Sequence, residues 1–320
     1  MTEPLHATRL FPKFRGAAAY RLTGIAARCD WVVLSDTHPP EALLVERVAT
    51  PAPRHVFLSL REPFAALRFF CHEVLPRISA PFVLVSGSED VTLPTQTDRR
   101  WRPYDAGERA MIAALLDDPR LIRWFAENLD DGTHPRLAAL PVGMVWPDGP
   151  PDPPPAPPVP PPLGPRPLRV LCAHRRRDGP QWAPRRRVDA LARGPWAGFT
   201  QCPDGELTEA AFLAALEAHS FVLCVEGGGL DPAPKAWTAL LHGAIPILRD
   251  SPVAAAYRLL PVAVVPAWEA GAITPARLAG WKTALLPRFD TEAGRAELLR
   301  RLGQDFWWQR VLAALPEARR

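Results

Sequence analysis

Three groups of residues in this chain have types and spacings suited to chemistry on an anionic ligand. The first is Phe221-Val-Leu-Cys-Val-Glu226 followed by Gly227, Gly228 and Gly229, then Asp231 and Lys235. A short apolar run that delivers an acid and three glycines reads as a buried strand opening into a turn. There the missing side chains let backbone approach a bulky ligand. Lys235 then opens a helical pattern, where a cation is unfavourable against the helix dipole unless an anion sits nearby. Only Lys13, Lys235 and Lys282 are lysines among 38 basic residues, so its placement stands out. A solvated lysine at an ordinary strand-to-helix turn is the plainer alternative.

The second group is Cys172-Ala-His174-Arg175-Arg176-Arg177, directly after the apolar run Leu168–Ala173. Arginines at a strand's carboxyl end suit bidentate recognition of a diphosphate. A solvated loop in an arginine-rich protein explains them equally. Arg185–Arg187, which opens a helical pattern, reads as surface. The third group is Ser86-Gly-Ser-Glu89-Asp90, with Arg61 and Glu62 after a neighbouring apolar run. A carboxylate in such a turn is a candidate general base, and Asp90 is preferred to Glu89 because turn backbone fixes the shorter side chain more readily. Arg61, Glu62 and Ser86 are candidates to hold a second substrate. Lone histidines such as His134 and His174 are more commonly structural.

The elements that must carry these groups are legible from apolar runs. Trp31–Asp36, His55–Leu60 and Phe82–Ser86 read as buried parallel strands, with Leu121–Phe125 and Leu137–Val142 as further candidates. Helical patterns at Pro63–Val74 and Ala106–Leu116 separate or follow them. The second half repeats the style, with strands at Leu168–Ala173, Phe221–Val225, Ala244–Leu248 and Val262–Val265. Its helices are expected at Arg185–Ala192, Thr208–Ala218 and Lys235–His242. Between the halves, 13 of the 21 residues from Pro147 to Pro167 are proline. Such a run favours polyproline II and joins neither helix interior nor sheet. The expectation is therefore an α/β protein of two Rossmann-like parallel-sheet domains facing a cleft: residues 1–147, a linker at 148–167, and residues 168–320. The last helical pattern, Gln304–Leu315 with Phe306, Trp307 and Trp308, is a candidate to pack back on the first domain.

Composition narrows the function classes. The 320 residues are 48% hydrophobic and 22% charged, which is ordinary globular composition. A net charge of +4 spread over this length argues for no nucleic-acid partner and at most peripheral membrane contact. Five widely spaced cysteines without a Cys-x-x-Cys pair suggest reduced thiols and no zinc knuckle. No secretory leader or membrane-length apolar run is visible, so a cytoplasmic setting is expected. The dinucleotide fingerprint lacks its third glycine. Lys235 follows proline rather than glycine, so there is no P-loop, and no Asp-x-Asp occurs.

The stretch from Phe221 to Trp268 resembles the donor-binding region of GT-B glycosyltransferases, in the exostosin-like and fucosyltransferase-like style. The resemblance rests on Gly227–Gly229, Asp231, Lys235, Trp237, Gly243-Ala-Ile-Pro-Ile247, Ser251, Tyr257, Leu260-Pro-Val262 and Trp268. A fainter echo lies in Val83–Gly87 with Asp90, in Trp124–Asn128, and in Leu140–Gly143. It implies a transferase that moves a sugar from a nucleotide-sugar donor to a hydroxyl of a glycan or glycolipid, with no metal and no cofactor. Arg175, Arg176, Arg177, Gly227, Gly228, Gly229, Asp231, Lys235, Trp237 and Thr238 would then hold the donor. Asp90, Glu89 or Glu226 would act as the catalytic carboxylate. Thr238 stands where the family places an acid on the ribose. Either Glu226 takes that work, or activity is reduced. A protein that binds nucleotide or glycan without turnover is the alternative.

Overall fold

The computed structural model describes residues 3–316 and divides into two compact units. The first contains residues 3–154, the short piece Gly229–Asp231, and residues 303–316. The second contains Pro155–Gly228 and Pro232–Leu302.

The first unit is built on six strands: β1 (Trp31–Thr37), β2 (Pro40–Glu46), β3 (His55–Ser59), β4 (Phe82–Gly87), β5 (Leu121–Ala126) and β6 (Leu137–Ala139). Their order is β2-β1-β3-β4-β5-β6, parallel throughout except for the β1–β2 hairpin. β3 and β4 are buried along their whole length, as the apolar runs predict for strands covered on both faces. β2 was not expected from the sequence. Its Glu41, Glu46 and Pro40 break the apolar run, which suits a half-exposed edge strand.

Helix α1 (Pro63–Phe69) starts with Pro at its first position and with the Glu62 carboxylate accepting from Ala65 N. It continues through a wider turn over Phe70–Val74. Helix α2 (Ala106–Asp117) opens with a reciprocal Asp105–Glu108 capping box.

The second unit carries β7 (Val170–Leu171), β8 (Thr200–Gln201), β9 (Phe221–Leu223), β10 (Ile245–Arg249) and β11 (Ala263–Val265). They form one all-parallel sheet in the order β11-β10-β9-β7-β8. Its helices are α3 (Ala183–Arg193), α4 (Glu209–Ala218), α5 (Lys235–Leu241), α6 (Ala254–Tyr257), α7 (Pro275–Asp290) and α8 (Glu292–Leu302). Both units are thus Rossmann-like α/β sheets, parallel but for the β1–β2 hairpin. The last helix, α9 (Gln304–Ala313), belongs to the first unit. Trp307 rests 5.5 Å from the His6 ring, Trp308 lies 4.8 Å from His55, and Gln304 N donates to Pro4 O.

The proline-rich run is held down at its far end. Pro158 O accepts from Arg295, Pro161 O from Arg166, and Leu163 N donates to Asp290, all within the second unit. Among the described residues, no helix is long and apolar enough to cross a membrane.

Candidate functional site

In a parallel sheet the carboxyl ends of the strands share one edge, and loops leaving that edge gather whatever side chains they carry. In the second unit those loops are Cys172–Asp178 after β7 and Glu226–Gly228 after β9. Arg185, on the first turns of α3, ties them together. Its Nε donates to Glu226 O at 3.1 Å, and its Nη1 donates to Arg175 O at 3.1 Å. Gln181 adds a bond from Nε2 to Gly227 O at 3.2 Å and another to Gly228 O. A Cβ on Gly227 would stand 2.7 Å from Arg185 Nη2, so a side chain there would push the end of the arginine aside.

Arg176, Arg177, Asp178, Arg185, Arg186 and Asp189 line a cavity of about 210 Å³ on this edge. Four guanidinium groups against two carboxylates leave it cationic. Arg177 and Arg185 also stack on the Trp182 ring, at 5.0 and 4.8 Å from its centre. Lys235 joins from α5, its Nζ donating to Ala173 O. Burial lowers its pKa to about 8, and the Arg185 charge adds to that. Burial likewise lowers His174 to about 4, so its ring is neutral.

The other donor-side candidates lie in different surroundings. Trp237 is fully buried, edge-on to Tyr257 at 5.7 Å, with Nε1 donating to Leu302 O at 3.2 Å. Its ring is core. Thr238 spends its hydroxyl on Pro234 O, one turn back along α5. Glu226 accepts from Trp268 Nε1 at 2.9 Å and from Arg249 Nε, which ties the ends of β9 and β10.

Gly229 and Asp231 belong to the first unit. There Asn128 Oδ1 accepts from Leu230 N and Asp231 N, both at 2.9 Å, and Asp231 accepts from Val142 N at 3.0 Å.

The carboxyl edge of the first sheet holds an ion network. Arg61 is fully buried and pairs with Glu89, while Arg9 donates to Asp90 at 2.6 Å. Arg100 reaches Asp90 at 2.8 Å and Asp98 at 2.7 Å. Although both are largely buried, these guanidinium groups hold Glu89 and Asp90 below the usual carboxylate range. Arg61 and Glu89 also line a cavity of about 250 Å³ with Phe14, Thr37, Arg100 and Trp101. Ser86 accepts from Trp124 Nε1 at 2.8 Å and is buried. Glu62 caps α1.

Two groups escaped the sequence reading. Arg185 is half-buried rather than a surface residue. The signal for it was present, since Arg185 and Asp189 stand four apart on one face of α3. Glu127 has no comparable signal. It is buried beneath Gly87, accepts from Thr8 Oγ1 and Glu89 N, and burial pushes its pKa up to about 7.

No protein-family model matches the chain, and no curated protein matches it. Among solved structures, the chain is similar to a spinosyn rhamnosyltransferase complexed with thymidine diphosphate. Identity is 15% over 83% of this chain and 71% of that one, with a TM-score of 0.35. A UDP-forming α,α-trehalose-phosphate synthase from Burkholderia xenovorans aligns at 11% identity over 83% and 74%, with a TM-score of 0.40. TarM aligns at 8% identity over 88% of this chain and 60% of its own, with a TM-score of 0.40.

Proposed function

We propose that the protein is a glycosyltransferase of the GT-B kind, taking a sugar from a nucleotide-sugar donor to a hydroxyl of a glycan or glycolipid in the cytoplasm. The observation that carries this reading is the gathering of Arg176, Arg177, Arg185 and Lys235 beside the Gly227–Gly228 turn on the second unit's carboxyl edge. A preorganised cationic site stabilises charge as it develops on a departing diphosphate, without a metal on the phosphates. The bond from the sugar carbon to the diphosphate oxygen breaks, and a bond to the acceptor oxygen forms. The acceptor's proton passes to a carboxylate. Glu89 is the proposed base, because it borders the 250 Å³ cavity, which Asp90 does not line; both acids carry guanidinium partners, Glu89 from Arg61 and Asp90 from Arg9 and Arg100.

The test is calorimetric titration with a panel of nucleoside diphosphates, followed by donor hydrolysis and transfer assays. Micromolar binding of one diphosphate, with hydrolysis of the matching donor, supports the reading. Failure to bind any of them defeats it. A specific observation favours the second reading, a binder without turnover. Both acids or hydroxyls suited to the donor ribose, Glu226 and Thr238, are occupied by internal hydrogen bonds. Binding without hydrolysis or transfer selects it.

A further inference from the structure

Cys172, His174 and Asp189 offer one donor atom each within 4.8 Å of one another, at the carboxyl end of β7. Cys172 Sγ lies 3.9 Å from His174 Nδ1 and 3.8 Å from Asp189 Oδ1. In a tetrahedral zinc site, metal–ligand lengths of about 2.0–2.3 Å place neighbouring donors roughly 3.3–3.8 Å apart. The two sides at the sulfur stand at or just above the upper end of that range, and the third is within 4.8 Å.

The fourth corner comes from the sheet. β7 and β8 pair Val170 with Thr200 and Leu171 with Gln201, and Cys172 N donates to Gln201 O. Cys202 follows in that register beside Cys172, one strand spacing away, but its sulfur lies outside the 4.8 Å group of the other three donors, so a side-chain movement must bring it in. We propose that Cys172, His174, Asp189 and Cys202 bind one structural zinc ion.

The outer contacts suit that role. His174 Nε2 is 3.2 Å from Arg185 O, a bond in which the ring nitrogen donates, so the neutral ring leaves the Nδ1 lone pair facing Cys172. Asp189 Oδ2 is held by Arg176 Nε at 3.0 Å. Asp189 touches both Cys172 and His174, and His174 Nε2 lies 3.3 Å from its Oδ1. Asp189 thus meets the sulfur as well as the ring, unlike the linear relay of a thiol nucleophile, and Cys172 is only 4% exposed. Binding releases the two thiol protons to solvent. Two thiolates, one carboxylate and Zn²⁺ then sum to −1, beside Lys235 and Arg176. The ion would pin the loop bearing Arg175–Arg177 to β8 and α3. The inference stands on this geometry and does not depend on the transferase reading.

The test uses the full chain, stripped with a chelator under reducing conditions and titrated with cobalt(II). One equivalent should produce a thiolate-to-cobalt charge-transfer band with tetrahedral d–d bands, and zinc should bleach both. Cys172→Ser, His174→Gln and Asp189→Asn should each weaken binding by at least tenfold, and Cys71→Ser should leave it unchanged. If Cys172→Ser does not fold, Cys202→Ser, half-buried at the rim, should lower the charge-transfer intensity by about half. A wild-type protein without the band, or a band of undiminished intensity and affinity in Cys172→Ser or Cys202→Ser, overturns the proposal. So does a protein whose intact mass shows a Cys172–Cys202 disulfide and that takes up no metal once reduced. Nucleotide titration of the same samples keeps failure of the donor site distinct from failure of the metal site.

Discussion

Glu127 Oε1 lies 3.4 Å from Arg9 Nε inside the first unit, yet burial outweighs that attraction and raises the carboxyl from 4.5 to about 7. An acid whose folded pKa is raised binds more protons when folded than when unfolded. Its contribution to stability is complete below about pH 4.5 and is lost as pH climbs through 7. Glu127→Gln should therefore flatten the stability profile across that window, by up to about 3 kcal/mol. Urea midpoints at pH 5 and pH 7.5 for both proteins measure it. An unchanged slope contradicts the assignment. Asp90, held below its usual range by Arg9 and Arg100, works in the opposite sense and contributes to unfolding in acid.

Lys235→Ala should remove about 1.5–3 kcal/mol of charge-assisted hydrogen bonding to a bound diphosphate, a loss of roughly ten- to a hundred-fold in affinity. Lys235→Arg should restore only part, because the guanidinium is longer and planar. Calorimetry on variants with wild-type melting decides it. Undiminished affinity in Lys235→Ala removes the residue from the donor site.

Trp237 gives the opposite pattern. With its ring buried against Tyr257, Trp237→Ala should cost about 3–5 kcal/mol of stability. Trp237→Phe should keep nucleotide affinity near wild type. A tenfold loss of affinity in a stable Trp237→Phe would mean that the ring touches the ligand.

Glu89→Asp tests the proposed base while retaining a charge for buried Arg61. Drawing the carboxylate back by one methylene should lower turnover by about 10² if it must meet an acceptor hydroxyl, with nucleotide binding unchanged. Full turnover in Glu89→Asp moves the role elsewhere. Glu89→Gln is a poorer probe, since leaving Arg61 unpaired should cost about 3–5 kcal/mol of stability.

Gly229→Ala isolates the turn's contribution to the first unit. A Cβ there would fall 2.1 Å from Asn128 Oδ1 and 2.7 Å from Asp90 O. Asn128 would have to release Leu230 N and Asp231 N, so a loss of about 1–3 kcal/mol is expected in denaturant unfolding. An unaffected midpoint would show that Asn128 can move freely.

The local elements were written into the sequence. Runs such as Phe82–Ser86 and Phe221–Val225 read as buried strands, which β4 and β9 bear out, and Pro63 at a helix start needs no tertiary partner to act. The parallel α/β class and the placing of Lys235 at the first turn of α5 followed from such one-dimensional patterns. What chain order alone left open was which side chains meet. Strand register sets Cys172 beside Cys202, thirty positions along the chain, and no spacing rule connects them. Arg185 reaches Glu226 only because β7 and β9 are neighbours in the sheet. Trp237 and Asp231 fit a donor-binding motif by position, yet packing places the ring in the core and the carboxylate in the first unit. Periodicity is local, whereas pairing, burial and the pKa values that follow from them depend on contacts formed across the whole fold.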